Sequence, residues 1–66
     1  MHYGARALGW RSHVDYELAY LERRAEEERR AAAASTWPQE RDEHLRLARL
    51  FEENVRRLQR SAIAAA

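Results

Sequence analysis

Apolar residues fall at Val14, Leu18, Leu21, Ala25 and Ala32, with Glu28 interrupting the series. Steps of four, three and four hold them on one stripe at about 100° per residue, the signature of a helix with one buried face. The remaining positions are mostly Arg and Glu, with Arg23–Glu27 and Glu26–Arg30 spaced four apart, where opposite charges meet on a helix surface. Ser12-His13-Val14-Asp15 reads S-x-x-D, close to a capping box, and places an acid near the positive helix start. A first helix is therefore expected over about 13–34. The residues before it, 1–12, hold both glycines and scatter Tyr3, Leu8 and Trp10 without a period, which reads as an irregular arm.

A second apolar series begins after residue 44. Ala48, Phe51, Val55, Leu58 and Ala62 make its central stripe, with Leu47 beside it. Leu50 widens the stripe on one side, Leu45 and Ile63 on the other. The apolar arc spans about 200°, twice what one facing helix covers. Asp42–Arg46, Glu52–Arg56 and Glu53–Arg57 are spaced to pair on the solvent side.

Between the two series stands Ser35-Thr36-Trp37-Pro38. Proline has no amide hydrogen and clashes with the carbonyl four residues before it, so a helix interior loses roughly 3 kcal/mol there. It also drives Trp37 out of the helical region, yet is well suited to the first turn of a new helix. Thr36-x-x-Gln39 offers a second capping box, and Glu40, Asp42 and Glu43 load the new start with negative charge. The chain should stop and restart here, giving a second helix over about 38–60. A linker of about three residues folds the two back as an antiparallel hairpin. The expected organisation is thus an arm, 1–12, and a single all-α hairpin module, 13–66.

A lone hairpin has only one internal seam. In 66 residues without a cysteine, neither disulfides nor thiolate metal sites can supplement it. The wide stripe of the second helix points to another layer: two hairpins pairing as a homodimer into a four-helix bundle. Leu45, Leu47, Leu50, Phe51, Val55 and Leu58 are its expected interface. The alternatives are a different partner protein on the same face, or a monomer whose arm covers Leu45 and Leu50 through Tyr3, Leu8 or Trp10. Tyr16 and Tyr20, four apart on the back of the first helix, suit an accessory interface or packing against the arm or a dimer mate.

Charge and chemistry change this picture little. Twelve arginines face eleven acids for a net charge of +1, with no lysine and no segregation between the halves. Arg23-Arg24, Arg29-Arg30 and Arg56-Arg57 are each interleaved with Glu within a turn, which weakens any field toward phosphates. Arg6 and Arg11 with Trp10 are the better nucleic-acid candidates, though few, so nucleic-acid binding is not the expected role. Glu40, Glu43 and His44 have metal-ligand residue types, but the acids suit the helix start and His44 edges the apolar seam, so no metal or cofactor is assigned. No thiol, Gly-rich phosphate loop or nucleophile–base set with supporting context occurs, and no enzyme is expected. Nothing approaches the 18 or so apolar residues of a membrane span. Arg6 and Arg11 bracket only Ala7-Leu8-Gly9-Trp10, too short for a signal-peptide core, so a cytoplasmic location is expected.

Tyr20-x-x-Arg23-x-Ala25-x-x-x-Arg29, the proline-containing break and His44-x-x-Leu47-Ala48-x-x-Phe51 together resemble the short helical-hairpin proteins of high-GC alphaproteobacterial genomes. The likeness covers about residues 16–58. It implies a fold and a bacterial source, in keeping with an arginine- and alanine-rich composition, but no activity. The expected function is a non-enzymatic, self-associating interaction module; a regulatory adaptor for a different protein is the alternative.

Overall fold

A computed structural model describes residues 9–65, with side chains from 13 to 64. Two helices, α1 (Gly9–Ala34) and α2 (Pro38–Ala65), pack side by side. Among the described residues there is no strand. Their 26 and 28 residues correspond to about 39 and 42 Å at 1.5 Å per residue. The pairing is antiparallel: Glu28 meets His44, Arg24 lies over Phe51, and Leu21 lines a groove with Leu58. No described helix is long and apolar enough to cross a membrane.

Both outer ends run further than the apolar pattern indicates. α1 begins at Gly9, so Ser12 lies inside the helix and cannot cap it, and 9–12 belong to the helix rather than to an irregular arm. Once a helix is nucleated, extending it through Trp10 and Arg11 adds a hydrogen bond per residue against only a small propensity penalty. Residues 1–8 and the side chains of Trp10 and Arg11 lie outside the described residues. With them lie the expected packing of the arm on the helices and its use toward nucleic acid. α2 continues through Ala65, because Ala62, Ala64 and Ala65 are the best of helix formers.

The turn is built by Ser35, Thr36 and Trp37. The Ser35 amide donates to the Ala32 carbonyl at 3.1 Å, and its hydroxyl donates to the Ala31 carbonyl at 2.8 Å. These bonds satisfy two carbonyls that the end of α1 would otherwise leave open. No described residue has positive φ, so the reversal needs no glycine. Pro38 takes the first position of α2, and the Trp37 carbonyl accepts the Arg41 amide at 3.0 Å. That acceptor role marks Trp37 as the cap position, one residue later than the Thr36 box requires. Ser35→Ala should lower stability by about 0.5–1 kcal/mol, read as a shifted urea midpoint with unchanged slope.

Small residues set the distance between the helices. Ala25, Ala32 and Ala48 are buried, at 2–3% exposure. Around them Val14, Leu18, Leu21, Leu45, Phe51, Val55, Leu58 and Ala62 are only half-buried. No large side chain is fully buried among the described residues. The hairpin is a single layer, its Cα atoms spanning 52 × 26 × 9 Å, and each seam residue is covered from one side.

Candidate interaction surface

The two broad faces of this layer differ. On one, Arg29 of α1 bridges to Glu52 of α2, beside Glu22, Val55 and Arg56. Glu52 thus pairs across the seam rather than with Arg56, the partner that spacing alone suggests. Leu45 and Ile63 border this face on α2.

The opposite face is more apolar. Leu47 and Leu50 are 40% and 50% exposed there, beside half-buried Phe51 and Leu58. Leu47 and Leu50 lie off the Ala48–Val55 line that faces α1, so α1 cannot reach over them. Tyr20 adds a side chain 45% exposed from α1, with the Arg23 guanidinium carbon 5.9 Å from its ring centre. Tyr16, 76% exposed, lies further round α1 and lines a shallow groove with His13, Glu17 and Tyr20. Of the six expected interface residues, the hairpin therefore part-covers Leu45, Phe51, Val55 and Leu58 and leaves Leu47 and Leu50 open.

A polar network crosses the seam beneath this face. Glu28 is the buried charged residue, 7% exposed. Its Oε1 accepts a 2.7 Å hydrogen bond from His44 Nδ1, and its Oε2 accepts one of 2.9 Å from Arg24 Nη2. Arg24 Nη1 also donates to Glu27 at 2.7 Å, and the guanidinium carbon lies 5.0 Å from the Phe51 ring centre. A planar guanidinium suits this double duty, binding carboxylates with its edge and the aromatic ring with its face. The His44 bond holds the Glu28 carboxyl below the ordinary carboxylate range; burial opposes the shift, and the charge and hydrogen bond of Arg24 reinforce it. Among the described residues no buried side-chain nitrogen or oxygen lacks a hydrogen-bond partner.

No protein-family model, curated protein or solved structure matches the chain. What it does must therefore be read from its own surface.

Glu28 is the residue that sequence reasoning passes over. In the α1 series it looks like an interruption, yet Leu21, Ala25, Glu28 and Ala32 keep helical spacing, which puts it on the buried face. His44 likewise stands one turn before Ala48 in the α2 stripe. Two complementary polar residues, each at a core position of facing helices, were the available signal. Glu40 and Glu43 do not join His44 in a cluster: His44 turns to Glu28, and no group of three or more metal-ligating residues converges among those described.

The arginine doublets are divided. Arg24, Arg29 and Arg30 bridge to Glu26, Glu27, Glu28 or Glu52. Among the described residues, Arg56 and Arg57 make no ion pair within the hairpin.

Proposed function

We propose that this protein is a non-enzymatic interaction module whose hairpin self-associates into a four-helix bundle through the face bearing Leu47 and Leu50. The observation that carries the reading is the absence, among the described residues, of any fully buried large side chain in a hairpin that still exposes two leucines on one flank. Burying such surface is the main favourable term in association, and a small domain lacking disulfides has few other sources of stability. The non-enzymatic part draws on Glu28 and His44, an acid–base pair engaged within the seam rather than aimed into a cavity.

Sedimentation equilibrium, with circular dichroism followed over a hundredfold dilution, tests this. The expected result is a dimer mass, with helicity and melting temperature falling together on dilution. A stable monomer with concentration-independent melting overturns the reading. A second reading, an adaptor whose α2 flank receives a different protein, draws on exposed Tyr16, which lies beyond the Leu47–Leu50 face. It expects a poorly packed monomer that gains helix only with its partner.

A further inference from the structure

We infer that the second copy lies antiparallel along α2, with the two-fold axis at Leu50 and the two turns at opposite ends. This rests on the self-association proposed above and adds its orientation and register. Along the outer flank of α2, exposed or half-buried positions recur at steps of three and four: Glu40, Glu43, Leu47, Leu50, Asn54 and Arg57. Such a repeat is the spacing by which one helix lies against another. The stripe is ordered by charge: acids at its N-terminal end, two leucines in the middle, an arginine toward its C-terminal end.

That order distinguishes the two ways of pairing it with itself. Glu43 stands seven residues before Leu50 and Arg57 seven after, both two turns away on the same flank. Reversing a copy about Leu50 brings each Glu43 level with Arg57 of the second copy, and joins the two Leu50 side chains at the axis. Parallel pairing instead sets Glu43 against Glu43 and Arg57 against Arg57, which like-charge repulsion disfavours. Among the described residues neither Glu43 nor Arg57 has an ion-pair partner within its own hairpin, so each is available across the seam. Half-buried Asn54, level with Leu47 of the second copy to within one residue, is a polar seam position of the kind that fixes register.

Because the chain has no cysteine, introduced thiols report the register directly. Full-length Glu43→Cys and Arg57→Cys are each oxidised mildly alone and then as a mixture, with circular dichroism and sedimentation checking that each variant folds and associates. In the antiparallel register the two position-43 thiols of a Glu43→Cys dimer lie about 14 residues apart along the seam, roughly 21 Å, beyond disulfide reach. The expected result is a mixed disulfide, joining position 43 of one copy to position 57 of the other, that forms at least about tenfold faster than either homodimeric disulfide. Faster homodimeric disulfides, or none in any combination despite a dimer mass, overturn the register while self-association stands. A monomer for the unaltered chain overturns both. Charge reversal is an independent check: Glu43→Arg and Arg57→Glu should each weaken association about fivefold or more, and the double reversal should restore it. Equal weakening in the double variant also overturns the register.

Discussion

On the proposed dimer, Leu50→Glu should yield a monomer at concentrations where the unaltered chain associates, with the dissociation constant raised at least about a hundredfold. Within its own hairpin Leu50 is 50% exposed, so the substitution removes little intramolecular contact. At the proposed two-fold it would remove two leucines at once. Fully burying a leucine is worth about 1.5–3 kcal/mol, so covering the exposed half of each contributes about 1.5–3 kcal/mol per dimer. The substitution also places two carboxylates face to face and takes both out of water, which adds repulsion and a desolvation penalty. Together these exceed the ~2.7 kcal/mol of a hundredfold change. Ile63→Glu is the matched control. Ile63 is 76% exposed and borders the opposite face, so the same chemical change there should leave the mass unchanged. Sedimentation equilibrium decides between them. A dimeric Leu50→Glu chain would mean that the association surface lies elsewhere.

That contrast between two exposed apolar residues is legible in the amino-acid sequence itself, because it needs only helical phase. Leu50 sits off the Ala48–Phe51–Val55 line on one side and Ile63 on the other. The turn is legible as well, since Pro38 has no amide to give and Glu40, Asp42 and Glu43 suit a new helix start. Phase alone does not give the ends of the helices. Ser12 has the chemistry of a cap, but capping preference competes with continued propagation, and here the helix runs on to Gly9. Phase gives one charge pair, Glu26–Arg30, and not the others. Glu27 is spaced for Arg23 but hydrogen-bonds to Arg24; Glu52 is spaced for Arg56 but bridges to Arg29. Both outcomes depend on the rotamers and flanks that lie within reach once the helices pack, a property of the pair. Glu28 and His44 make the point most sharply. Glu28 reads as a break in its stripe and His44 as an edge of the apolar seam, and only the antiparallel register turns the two into one contact.

That contact should make the protein acid-sensitive and unequal in its response to losing either partner. Glu28 has a folded-state pKa below its ordinary value of 4.5. The unfolded chain therefore takes up the proton first as pH falls, and stability falls with it. The contribution is complete above the ordinary carboxylate value and disappears as pH drops through the lowered folded value, so melting temperature should decline from about pH 5 downward. Glu28→Gln should flatten that decline, because the amide does not titrate. Removing His44 is different, since the carboxylate stays, with a side chain only 10% exposed and Arg24 of its own helix as the remaining hydrogen-bond partner. A buried charge deprived of a partner is strongly destabilising, so His44→Ala should lower melting at pH 7 by roughly 5–10 °C. It should also shrink the acid dependence, because the His44 hydrogen bond is the largest cause of the shift. Glu28→Leu should melt within about 2 °C of the parent or above it, as apolar replacement of a buried ionic group often does. The groups it abandons, His44 and Arg24, have side chains 34% and 33% exposed and can turn to water. Thermal melts of the three variants at pH 3, 5 and 7 give the ordering. If Glu28→Leu melts below His44→Ala, the pair stabilises the seam by more than the desolvation it requires. The expected order instead identifies Glu28–His44 as a contact that fixes how the two helices meet, with apolar packing supplying the stability.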